Sequence, residues 1–296
     1  MTQKYLTILC LFLVTLTVFS VSVLCAQDEK TTKILCYSRS SAWEHEPTVL
    51  LPDGKTTIFG NALRAYFADK KIPVVLTETH DGRIFNGNID QYDAFVFYSC
   101  SNLLADKKDE PESSHAMTKE GFLKFLDAVR SGKGFVGIHS ATDTYSGLLD
   151  ENNEDLYTKL IGARFISHGP MQFGTVKAVD PVQLPWLKET GKNITDFEEW
   201  YAMKDFNKDM HVVLVQQLTA LEGDCYKRSP FPSSWVRMEG KGRVAYSAYG
   251  HAIPFWKHPE NVRKIGEFIE WSLGHFDLDL TPNINQVTPN CEDYKK

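Results

Sequence analysis

The feature that most constrains this chain is an alternation of short, wholly apolar runs with amphipathic helical patterns. Ala94-Phe95-Val96-Phe97 and Gly134-Phe135-Val136-Gly137-Ile138 carry no polar side chain on either face. A strand with one wet face would alternate, so these runs belong in a sheet covered on both sides. Between them Phe122, Phe125, Leu126 and Val129 recur at helical spacing until Gly132, although Thr118 with Gly121 makes no full capping box. Lys33-Ile34-Leu35-Cys36-Tyr37 and Pro73-Val74-Val75-Leu76-Thr77 read as two further strands, with Phe59, Leu63, Tyr66 and Phe67 forming one face of a helix between them. Strand and helix in turn predict an α/β fold built on a parallel sheet.

Later segments extend this pattern. Leu156, Leu160 and Ile161 mark a helix that stops near Gly162, and Pro259 opens another bearing Val262, Ile265, Phe268, Ile269 and Leu273. Proline suits the first turn, where its missing N–H has no helical partner to lose. Residues 164–257 change character, with strand-like runs at 173–179, 211–217 and 243–249 between Pro, Gly and charged loops. They read as an extension of the sheet rather than an independent domain.

The chain ends are set apart by composition. Residues 5–26 carry no charge and follow Lys4, which predicts a signal peptide or an uncleaved N-terminal anchor over residues 1–26. That leaves a folded unit over 27–276 and a polar C-terminal surface tail over 277–296. Export to a periplasmic or extracellular location follows, with membrane contact only through an uncleaved leader. Without Lys4 the chain has 31 basic against 38 acidic residues, so it offers no global positive field for nucleic acid. Cys36 and Cys100 lie in apolar runs and read as buried thiols, Cys225 and Cys291 lie in loops, and no C-x-x-C pair suggests a zinc ribbon.

Three familiar motifs fail. Asp53-Gly54-Lys55-Thr56 lacks the upstream glycine of a phosphate loop, because that position is Val49. His45-Glu46-Pro47 has Val49 where a zinc-protease helix needs its second histidine, and Pro47 would break the helix. No G-x-S-x-G elbow occurs.

What survives lies at the carboxyl ends of predicted strands, where open α/β sheets bind ligands. His139 directly follows the buried run 134–138, with Ser140 and Asp143 close enough to orient it or meet a sugar hydroxyl. Further on come His168 and Gln172, then Glu198-Glu199-Trp200-Tyr201, then Tyr249-Gly250-His251. Polar groups embedded among aromatics suit a pocket that stacks and hydrogen-bonds carbohydrate.

In order and spacing these motifs resemble the ThuA-like, trehalose-utilisation family. The resemblance is carried by residues 34–45, ending in Trp43-Glu44-His45, by residues 134–143, and by Leu160-Ile161-Gly162-Ala163 with His168 and Gln172. Residues 198–201 and Gly240-Lys241-Gly242-Arg243-Val244 through His251 complete it, so that it covers residues of about 33–275. The chain departs from the family at His168-Gly169-Pro170, where the histidine usually adjoins the proline, and in the uncharged stretch Ser229-Pro230-Phe231-Pro232-Ser233-Ser234 before Trp235.

The resemblance implies a class I glutamine-amidotransferase-like fold, a flavodoxin-like three-layer sandwich with a mostly parallel sheet. In the amidotransferases the strand-to-helix elbow carries a nucleophilic cysteine. His139 stands there in this chain, and imidazole cannot replace a thiolate, which excludes the Cys-dependent mechanism. The family also implies carbohydrate catabolism on trehalose-like glycosides or their 3-keto derivatives. A 3-keto group acidifies the C2 proton, so a base and an acid suffice to open the glycosidic bond. On this reading His139 and Glu199 are the catalytic pair, and His45, Ser140, Asp143, His168, Gln172, Glu198, Trp200, Tyr201 and His251 bind the substrate. Two alternatives are a noncatalytic sugar-binding protein using the same pocket, and an enzyme in which His139, His168, His251 and Glu199 hold a divalent metal.

Overall fold

The first half of the chain supplies β1 (Thr32–Tyr37), α1 (Ile58–Asp69), β2 (Val74–Thr79), β3 (Ala94–Phe97), β4 (Ser101–Asn102), α2 (Lys119–Arg130) and β5 (Gly134–Ile138). The middle adds β6 (Thr144–Tyr145), α3 (Leu156–Ile161), β7 (Arg164–His168), β8 (Gln172–Ala178), α4 (Pro185–Thr190), β9 (Asn193–Glu198) and β10 (Tyr201–Lys204). The last part holds β11 (His211–Gln217), β12 (Phe231–Glu239), β13 (Gly242–Ser247), α5 (Ile253–Trp256), α6 (Pro259–Ser272) and α7 (Ile284–Val287). This computed structural model describes residues 31–294 apart from 109, 110, 180 and 182, so the expected leader lies outside the described residues.

Nine strands form one sheet in the order β2-β1-β3-β5-β13-β12-β11-β8-β9. The pairs from β2 through β13 are parallel and those from β13 to β9 antiparallel. Residues 164–257 therefore do extend the sheet. The apolar runs become β3 and β5, neighbours in the parallel half and buried along their whole length. Helices α1 and α6 cover one face, while α2 and α3 cover the other. On the second face Phe97 stacks on Phe125 at 4.7 Å, with Phe135 edge-on to both. Gly137 lets α3 approach β5, since a Cβ there would lie 2.5 Å from the Ile161 side chain.

Local chemistry sets the helix ends. Thr57 accepts a hydrogen bond from Gly60 N at 3.0 Å and donates its own proton to buried Glu78, so it both caps α1 and ties it to β2. Thr57→Ala is expected to cost about 0.5–2 kcal/mol, read as a lower urea midpoint with an unchanged slope.

The C-terminal segment differs from the expected surface tail. Asn283 Oδ1 accepts from Val212 N at 2.7 Å and its amide donates to Val212 O at 3.1 Å. Strand β8 pairs with β11 only from Leu214 to Gln217, so this side-chain amide stands in for a missing strand. Ile284, Thr288 and Cys291 are buried beside it. Few residues carry this docking, and the polar composition around them hides it.

Candidate functional site

Strand β5 runs straight into a single helical turn, His139–Asp143. His139 begins it with φ +44°, a left-handed backbone that costs a residue with a Cβ about 1–3 kcal/mol unless its surroundings impose it. They do. The Tyr246 hydroxyl donates to the His139 carbonyl at 2.8 Å, and His139 Nδ1 lies 2.9 Å from the Ala248 carbonyl. A carbonyl can only accept, so Nδ1 carries the proton and Nε2 keeps its lone pair. Tyr201 packs against the imidazole with ring centroids 4.1 Å apart, and Phe165 backs Tyr201 at 4.2 Å.

Four segments converge on that lone pair. His139 Nε2 lies 3.1 Å from His251 Nδ1 and 3.5 Å from Glu199 Oε2, and His251 Nδ1 is 3.2 Å from the same oxygen. His45, from the loop after β1, sets its ring edge-on to both histidines at 5.0 and 5.1 Å. One donor atom from each of His45, His139, Glu199 and His251 lies within 4.8 Å of the others. The antiparallel pairing of β7 with β10 places His168 opposite Tyr201 and so beside Glu199. His168 Nδ1 lies 3.2 Å from Glu199 Oε1 and 2.7 Å from the Gly169 carbonyl. Both partners are acceptors, which leaves Nε2 as the basic nitrogen of His168.

Exposure rises outward through the cluster, from 0% for the His139 side chain to 12% for Glu199, 20% for His251 and 40% for His168. Burial lowers the pKa of His139, only partly opposed by Glu199, and holds that imidazole neutral. Burial, reinforced by His139 and His251, pushes His45 down to about 2. Burial works to raise Glu199, but hydrogen bonds and charge from His139 and His251 outweigh it and hold this carboxyl well below the usual range. Glu198 is pushed up to about 7 by burial, against the N–H groups of Gly250 and His251 that it accepts at 3.1 and 3.2 Å.

Several expected substrate contacts are corrected by this geometry. His139 has no exposed surface and cannot reach a sugar directly, so it positions its neighbours. Ser140 and His45 are likewise buried. Glu198 ties the turn after β13 to the end of β9. Gln172 spends its amide on the backbone of Glu222, accepting at 2.7 Å and donating at 2.9 Å. Tyr201 is 4% exposed and packs on His139. Trp200 is wholly buried, donates to the Gln172 carbonyl at 3.1 Å, and sits where a Cβ on Gly174 would lie 2.2 Å from its indole nitrogen. It is core, not a sugar platform. His168 lies outside the four-residue cluster, and His45 takes the place expected for it. Asp143, His168, His251 and Glu199 remain accessible in part.

Trp43, in the loop that carries His45, is an exposed aromatic at 69%, and sequence alone gave it no contact role. Its backbone N–H reaches the thiol of Cys100, which in turn donates to Asp143 at 3.2 Å. A tryptophan next to a turn between predicted strand and His45 was the available signal. Burial and Asp143 push Cys100 up to about 12, so this thiol is no nucleophile. The four described cysteines are all free.

The model of the family ThuA, described as trehalose utilisation, matches residues 33–272. No curated protein matches. Among solved structures, a ThuA-like protein from Bacteroides uniformis is similar with a TM-score of 0.56 at 20% identity, over 85% of this chain and 95% of that one. Another, from Parabacteroides merdae, has a TM-score of 0.57 at 14% identity, over 90% and 98% of the two chains. At these identities the likeness is one of fold.

Proposed function

This chain belongs to the ThuA, trehalose-utilisation family, and from that premise we propose that it is an exported enzyme of carbohydrate catabolism acting on the 3-keto derivatives of trehalose-like glycosides. The observation that carries the reading is the accessible His168 paired through Nδ1 with the Glu199 carboxylate. A carboxylate on one imidazole nitrogen fixes the tautomer and stabilises the imidazolium that forms when the other accepts a proton. His168 Nε2 takes the acidified C2 proton. The C2–H electrons form a C1=C2 double bond, the C1–O bond breaks, and the proton passes to the departing oxygen. Atoms and electrons balance without a redox partner, and the products are an unsaturated keto sugar and a free alcohol.

The test is turnover of trehalose-like glycosides and of their 3-keto forms by the purified protein. Release of the alcohol from the keto form alone, slowed by deuterium at C2, is expected. Binding of these sugars with no turnover would favour a noncatalytic sugar-binding protein. Trp43 provides the sugar-stacking surface, and Trp43→Ala is expected to raise KM about 3- to 10-fold with kcat little changed, the equivalent of about 0.5–1.5 kcal/mol for one aromatic contact. The uncharged residues 5–26 support export, and intact mass should place the mature N-terminus near Gln27 if the leader is cleaved.

A further inference from the structure

We propose that His45, His139, Glu199 and His251 hold one first-row transition-metal dication of the zinc type. Three distances carry the argument. A tetrahedral site with metal–ligand bonds of about 2.0–2.1 Å separates its donor atoms by about 3.4 Å. His139 Nε2, His251 Nδ1 and Glu199 Oε2 are 3.1, 3.2 and 3.5 Å apart, so they already mark one face of such a tetrahedron. His45 supplies the fourth direction, with its donor within 4.8 Å of the other three.

Proton bookkeeping points the same way. The proton of His139 is committed to the Ala248 carbonyl, so its Nε2 faces His251 Nδ1 and Glu199 Oε2 as a lone pair. An imidazole nitrogen and a carboxylate oxygen, both Lewis bases, therefore crowd His251 Nδ1. His45 is 3% exposed and its Nδ1 has no hydrogen-bond partner. One ring nitrogen of His45 lies within 4.8 Å of the other three donors, so a cation among them engages every base at once.

The groups outside the cluster complete the pattern of a ligand set held in place. The Ala248 carbonyl fixes the His139 tautomer, His168 engages the outer oxygen of Glu199, and Glu198 accepts the backbone N–H of His251. Three imidazoles and one carboxylate select zinc, iron, cobalt or nickel over magnesium and calcium, which prefer oxygen ligands. Any catalytic use of the ion rests on the keto-sugar reading above, but its binding does not.

The experiment is titration of the full chain, stripped with a chelator and free of sugar, with Zn(II) and with Co(II). One equivalent is expected to bind, and Co(II) should give the visible absorption of a low-coordinate nitrogen-rich site. Glu199→Gln keeps the shape and His45→Ala removes one proposed ligand, and either is expected to weaken binding at least 100-fold. His168→Ala removes only an outer partner and should keep one equivalent, with affinity lowered about 10- to 100-fold. Circular dichroism confirms folding of each variant. Absence of binding to the wild type, or unchanged affinity in folded Glu199→Gln and His45→Ala, overturns the proposal. Tight ion binding with no turnover of any keto glycoside overturns the sugar reading instead.

Discussion

His168→Ala is expected to lower kcat on a 3-keto glycoside by about 10²–10⁴-fold, the usual contribution of a positioned general base, while sugar affinity changes far less. The separation follows from where the residue sits. It is more exposed than His139 or His251, and its Nδ1 already faces two acceptors, the Glu199 carboxylate and the Gly169 carbonyl. The lost interaction is therefore one that matters mainly while the proton moves, so kcat and kcat/KM should fall together. Steady-state kinetics with a parallel calorimetric affinity make the measurement. Full turnover in this variant would remove His168 from the chemistry.

The second large effect is on stability. Trp200→Ala is expected to destabilise the protein by about 3–5 kcal/mol, the range for truncating a buried large aromatic side chain. The indole fills the space above Gly174, meets Tyr249 edge-on at 5.5 Å and donates to the Gln172 carbonyl. The Trp200 carbonyl also accepts from Tyr226, whose hydroxyl oxygen takes the N–H of Gly169 at 2.9 Å. Removing the ring should thus loosen the segment carrying both Glu199 and His168. Chemical unfolding reads the effect directly. A variant of native stability whose only fault is weaker sugar binding would restore Trp200 to the role of a platform.

That reversal shows where sequence reasoning reaches its limit. His139 was legible because an unbroken apolar strand leads into it, and period and burial fix where such a strand must end. Trp200 was not, because it stands in the corner between β9 and β10, where no periodicity tells which way a side chain points. Tryptophan beside two glutamates reads equally as core or as pocket wall. The sheet extension was visible in the spacing of runs 173–179, 211–217 and 243–249. The docking of Asn283 was hidden, since one amide mimicking a peptide group leaves no mark in composition. His45 was recognised as a site residue, but its place in the cluster depends on tertiary convergence with Glu199 and His251, about which linear distance is silent.

The sheet order has a consequence for how the molecule comes into being. His45 and His139 follow β1 and β5 in the parallel half, whereas Glu199 follows β9 on the far antiparallel edge and His251 follows β13 at the seam between them. The four cluster residues are spread over residues 45–251, so no single strand–helix unit contains more than one of them. Such distant contacts close late, because the entropy of long loops must be overcome first. In refolding from denaturant, backbone signal should recover ahead of any property of the site, leaving a transient population that is folded by spectroscopy and blind to its ligands.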